Sequence, residues 1–292
     1  MRLIRAELLK MRRRQATWVV LIVLVVLMVI TYLLTGEAYR FLGIIEFPGA
    51  YGVIGQFAFA LGGLLAIVYS AAFVGADWNW GVVRNVVARG ESRARYLLAK
   101  CAALAIGLGV AMLIIFALGI ALTFVQGWIY GLPVESPLRG RGLQDLIDWL
   151  LLGYPVLLQR AALGVAVAVI LRSQLAGAVV GIVFFIGESI LIQILTAVSF
   201  FNRVTQGGLS DPEGPFLGFE PIGPEWFQFL PISIGGNILV LLPGGGGAAA
   251  AGGLQNLLLR PVPFEIAVPS VVLYIVGLLG VSIVALNRQE IA

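Results

Sequence analysis

Two charged residues stand inside long apolar stretches: Arg160 between Trp149 and Leu171, and Glu188 between Leu175 and Phe201. An acid and a base so placed can form a buried ion pair, hold a polar solute or relay a proton, and the residue types leave all three open. Other chemistry is scarce. The chain has no His, which excludes His-dependent catalysis and His metal ligation, and no metal site is expected. Its single cysteine, Cys101, cannot form an intrachain disulfide and reads as a small buried hydrophobe at the start of an apolar run. The only lysines are Lys10 and Lys100, and neither lies in the G-x-x-x-x-G-K-[ST] setting that cradles nucleotide phosphates. With no Ser/His, paired Asp or metal constellation in an apolar stretch, no catalytic residues are expected and the chain reads as a non-enzyme.

The elements that position Arg160 and Glu188 follow from hydropathy. Charged residues are 12% of the 292 residues, where soluble domains keep about 25% to solvate their surface. A helix that crosses about 30 Å of hydrocarbon needs about 20 apolar residues. Six runs satisfy this: 17–34, 51–76, 101–130, 149–171, 175–201 and 266–287. The sequence therefore predicts a single all-α integral membrane domain of six transmembrane helices. An unpaired charge at membrane depth costs at least about 2.5–3.5 kcal/mol, so Arg160 and Glu188 are expected to pair. Counted from the turn at Arg172, they lie about 18 and 24 Å along adjacent helices, which are compatible depths.

Between spans five and six, in the 202–265 loop, residues 226–259 are also uncharged. Pro231, Gly235, Gly236, Pro243 and the run Gly244–Gly247 argue against a seventh span, because each interior Gly costs about 1 kcal/mol and each Pro about 3 kcal/mol of helix stability. A re-entrant or interfacial hairpin on the outer side is expected, with the Gly/Ala run from Gly244 to Gly253 as its flexible turn. Basic residues set the orientation. The side holding both termini, the 77–100 loop and the 172–174 turn carries 13 basic and 4 acidic residues; the other side carries 5 basic and 10 acidic ones. Both termini are thus expected in the cytoplasm of a multi-pass cell-membrane protein, with no nucleic-acid partner. Trp18, Trp128, Trp149 and Trp226 read as interfacial belt residues. Gly62, Gly63, Gly107, Gly109, Gly177 and Gly181 mark expected close helix packing.

Residues 1–16 place Leu3, Ile4, Leu8 and Met11 on one helical stripe with most of the cations off it, which suits an interfacial amphipathic helix or a plain basic anchor. The 77–100 loop is the most informative stretch. Val82, Val83, Val86 and Val87 make one apolar face, with Arg84 and Arg89 off it. Gly90 is a natural helix stop and Ser92 a natural N-cap for the third span. Such a short helix can present a surface to a soluble partner or simply hug the membrane.

In these stretches the sequence resembles the permease subunits of type-2 ABC exporters. Asp77, then Gly81-Val82-Val83-Arg84, then Gly90-Glu91-Ser92-Arg93 and Lys100 opening the next span carry the likeness. Arg5-Ala6-Glu7-Leu8-Leu9-Lys10 resembles the family's elbow segment, and Leu230-Pro231 and Arg288-Gln289-Glu290 are similar to its C-terminal third. Asp77 stands where the family usually has Glu, and Val82 where it usually has Thr. The resemblance implies an elbow helix containing Glu7 and Lys10. It implies a coupling helix using Asp77, Gly81, Val83, Arg84, Val86, Val87, Arg89, Gly90 and Arg93, seated on a cytoplasmic ABC ATPase subunit. It also implies a second contact at Arg172-Ser173-Gln174 and a second permease copy completing the pathway. This chain then holds no cofactor, ATP and Mg residing in the partner subunit. Two other readings stand beside it: a secondary transporter or channel working through Arg160 and Glu188, and a non-transporting membrane scaffold.

Overall fold

The computed structural model describes residues 2–41, 46–79, 82, 88, 90, 92–131, 134, 136–137, 140–205, 225–245 and 262–288. No strand forms among the described residues. Helix α1 (Arg2–Arg13) is followed at Arg14 by a break, where Thr17 turns its hydroxyl back to donate to the Met11 carbonyl at 2.6 Å. The first span, α2, is Gln15–Phe41. The second is composite: α3 (Gly49–Gly55), a π-helical turn (Gln56–Leu61) and α4 (Gly62–Asn79). Then come α5 (Arg93–Tyr130), α6 (Arg141–Leu171), α7 (Gln174–Thr205), a 3₁₀ turn (Glu225–Phe229), the short α8 (Pro231–Leu241) and α9 (Phe264–Arg288).

Six of these helical stretches are long and apolar enough to cross a membrane, as the sequence predicts, so the chain is a multi-pass membrane protein. The helices outrun the apolar stretches: α5 begins at Arg93 and α6 at Arg141, each about two turns before its uncharged segment. Polar residues at span ends keep helical backbone because every N–H and C=O near lipid must be satisfied internally.

Spans two and four form the centre. Their apolar windows are 56% and 67% buried, against 17–28% in the other four spans, whose outer faces are left to lipid or another chain. Gly164 of α6 lets this central pair touch: a Cβ there would stand 2.2 Å from Ser70 Oγ and 2.3 Å from the Ile67 carbonyl. Gly177 approaches Ala168 and Gly181 approaches Ile67 in the same way, fulfilling the small-residue expectation at both. At Gly109 the expectation fails, since a Cβ there would make only ordinary contact with Tyr154.

Three expectations need correction. Trp149 is no belt residue: it is 2% exposed, stacks on Phe59 at 6.0 Å and donates its indole N–H to the Pro243 carbonyl at 2.8 Å. Trp18, Trp128 and Trp226 are exposed. Pro231 does not break a helix but opens α8, where its missing N–H costs nothing. Gly235 and Gly236 stay helical inside α8, and Gly235 is seated against Val156, where a Cβ would come within 2.7 Å. The expected flexible turn, 244–253, is described only as far as Gly245.

Candidate functional site

At the end of the bundle that holds α1, the cap of α5 sets up a buried polar cluster. Ser92 is extended (φ −70°, ψ 139°), and its hydroxyl accepts from the Arg95 N–H at 3.3 Å, closing the first turn. One and two turns on, Tyr96 and Lys100 fall on the same face. That face meets Phe73 and Asp77, themselves one turn apart on α4, and Glu7 of α1. Lys100 Nζ lies 2.5 Å from Asp77 Oδ2 and 3.6 Å from Glu7 Oε2, and it donates to the Phe73 carbonyl at 3.0 Å. Tyr96 donates its hydroxyl to the same Asp77 oxygen. Lys10 reaches Glu7 at 2.5 Å from a half-exposed position. Lys100, Glu7 and Asp77 are all buried, at 2%, 1% and 6% exposure.

Two carboxylates and two ammoniums balance in formal charge, and Phe73 offers its ring face to Lys100 Nζ at 4.3 Å. A buried ion cluster stabilises little in net terms, but losing one member leaves an uncompensated charge. The cluster therefore fixes how α1, the exit of span two and the entrance of span three sit together. A cavity of about 300 Å³ opens beside it, lined by Lys10, Arg13, Arg14, Asp77 and Lys100 among others.

The connection between α4 and α5 starts and ends on this clamp. Gly81, Val83, Arg84, Val86, Val87 and Arg89 lie outside the described residues. Gly90 takes φ +83°, the left-handed conformation in which helices commonly stop. Arg93 donates to the Leu286 carbonyl at 3.1 Å and the Asn287 carbonyl at 3.4 Å, filling acceptors that the C-terminus of α9 leaves open. The α6–α7 turn belongs to the same end. Arg172 is left-handed (φ 51°), the Ser173 hydroxyl accepts from the Ala176 N–H at 3.3 Å, and a Cβ on Gly75 of α4 would strike Gln174 Cα at 2.5 Å. The end of α4, from which the first stretch that the family resemblance marks as a partner contact departs, thus lies beside the second, the 172–174 turn.

Arg160 and Glu188 are both buried within the spans, as expected, but they do not form the expected ion pair. Glu188 turns to α8: its Oε1 accepts from the backbone N–H groups of Ile232 and Ser233, each at 2.8 Å, and from the Ser233 hydroxyl at 2.9 Å. These are donors that a helix N-terminus leaves unpaired, and the helix dipole favours the carboxylate there. Arg160 lies against Gly63 and under Phe185, 5.4 Å from the ring centre, with Nε and Nη1 lacking any hydrogen-bond partner. The partner of Glu188 was invisible in the sequence because Pro231 reads as a breaker, not as the start of a helix.

Glu7 and Asp77 enter as site residues only through the family resemblance; Lys100 belongs to its motif without a role, and Tyr96 has no place in it. The available signal was Lys100, one of only two lysines, standing at the edge of a 30-residue uncharged run. A cation there needs a counter-ion, and the acids at the same end are few.

Six apolar helices, a buried ion cluster at one end and a charge-capped short helix between the last two spans describe a multi-pass membrane protein. The family model for the ABC-2 family transporter protein matches residues 3–188, and the chain belongs to that family. Membership makes the chain a membrane translocation component and implies an ABC ATPase partner. No curated protein matches the chain.

Proposed function

We propose that the chain is the permease subunit of an ATP-driven exporter of the cell membrane, with both termini in the cytoplasm. Two copies form the pathway, and separate ATPase subunits, which hold ATP and Mg, seat against the 77–100 loop. The observation that carries this reading is the Lys100 clamp. A push on the loop reaches span two through Asp77, span three through Lys100 and α1 through Glu7, so the three elements move as a unit. In this reading α1 is an elbow helix in the membrane interface, and its outward cations, including Lys10, contact headgroups. The 172–174 turn is the second ATPase contact, and α8 is the membrane-inserted arm of an outer re-entrant element.

The reading is tested by purifying the tagged full chain from its native membrane. An ATPase is expected to co-purify in equal amount and to detach when Val83→Asp, Val86→Asp and Val87→Asp are combined. Purification without any ATPase, under conditions that keep two permease copies together, would overturn it.

A further inference from the structure

Arg160 borders a cavity of about 190 Å³ in the half of the bundle away from the Lys100 cluster, lined by spans two, four and five and by α8. Its wall mixes a guanidinium with Gln56, Ser189, Ser233 and Asn237 and with the ring of Phe185. The volume exceeds what one or two waters occupy and admits a ligand head of several non-hydrogen atoms.

The charge of Arg160 is offset only across space, by Glu188 on the neighbouring span, with which it makes no direct ion pair. Arg160 is 4% exposed, and its Nε and Nη1 are buried with no hydrogen-bond partner among the described residues, Nη1 lying against Gly63. The Phe185 ring lies 5.4 Å from the guanidinium carbon and attracts its positive charge. Glu188, the acid on the neighbouring span, is engaged through Oε1 by three donors at the start of α8, while its Oε2 is buried with no hydrogen-bond partner among the described residues. A buried guanidinium in the wall of a cavity that also carries hydroxyl and amide groups fits a planar or tetrahedral oxyanion, which it attracts by charge and can hydrogen-bond.

We propose that this cavity binds the oxyanion head of a ligand, a phosphate or carboxylate group, with Arg160 as its counter-ion. Ser189 and Asn237 border the space beside that head. The site stands apart from the ATPase contact, so its occupancy can be measured on the permease alone.

The experiment uses the purified full chain, with inorganic phosphate and acetate as soluble probes and phosphatidylglycerol against phosphatidylcholine as lipid probes. Soluble anions are followed by calorimetry and lipids by native mass spectrometry. Saturable binding of phosphate or acetate identifies a free anion, and preferential retention of phosphatidylglycerol identifies a lipid headgroup. In either case Arg160→Gln is expected to weaken binding at least tenfold, while Arg160→Lys retains part of it. A second variant guards against misfolding. A Cβ on Gly236, which lines the cavity, would meet no described residue within 4 Å, so Gly236→Leu starts without a clash, projects into the space and should abolish the same binding. If no probe binds, or if both variants bind as the native chain does, the cavity holds only water and the proposal fails.

Discussion

Lys100 and Asp77 meet at 2.5 Å where the connection between the second and third spans begins and ends. Removing the lysine would leave Asp77 and Glu7 as buried carboxylates without it. Lys100→Met is expected to cost about 3–5 kcal/mol, the usual range when a buried ion pair loses one partner. Combining it with Asp77→Asn and Glu7→Gln should restore most of that loss, because neutral partners need no counter-ion. Thermal unfolding of detergent-solubilised protein reads both. A triple variant no more stable than Lys100→Met alone would show that the cluster is not electrostatically coupled.

Glu188 acts on α8 through one oxygen. Glu188→Ala strips two backbone N–H groups and a hydroxyl of their acceptor, and about 1–3 kcal/mol of local stability should go with it. Glu188→Gln keeps an acceptor in place and should lose much less. Amide hydrogen exchange over 231–241 is the direct measurement: faster in the Ala variant, near native in the Gln variant. Equal protection in all three proteins would dismiss the cap.

Gly164 and Gly187 make a matched pair for packing. Alanine at 164 would press on the Ile67 carbonyl, which cannot rotate away, so Gly164→Ala is expected to destabilise by about 1–3 kcal/mol through separation of spans two and four. At Gly187 a Cβ meets nothing, and Gly187→Ala should be neutral or stabilising by up to about 1 kcal/mol. Unfolding midpoints that fail to separate the two would contradict the central placement of α4 and α6.

The same residues show what was legible in sequence. Six spans and their shared end follow from apolar run length and from where Arg and Lys collect, because the bilayer imposes both patterns one residue at a time. Ser92 as a cap and the close approaches at Gly177 and Gly181 were likewise local signals. What escaped were pairings across the fold. Nothing in the order of residues says that Glu7 meets Lys100, that Glu188 caps α8 in preference to pairing with Arg160, or that Trp149 turns inward to Pro243. The π-helical turn at Gln56–Leu61 left no trace either, since its residues are as apolar as those of an ordinary helix.

Gly90 isolates the backbone of the connecting loop from its packing. It holds φ +83°, and a Cβ there would meet no described residue within 4 Å, so the effect expected of a side chain is one of conformation. Alanine in the left-handed region costs about 1–2 kcal/mol, while asparagine visits it more readily. Because Gly90 lies outside the helical spans, this cost should fall on the loop and leave the bundle intact. Gly90→Ala is therefore expected to keep a near-native unfolding midpoint yet to lower transport-coupled ATPase activity of the assembled complex several-fold, whereas Gly90→Asn should retain most of it. If alanine and asparagine impair coupling equally at unchanged stability, the left-handed turn does not set the loop for the proposed ATPase contact.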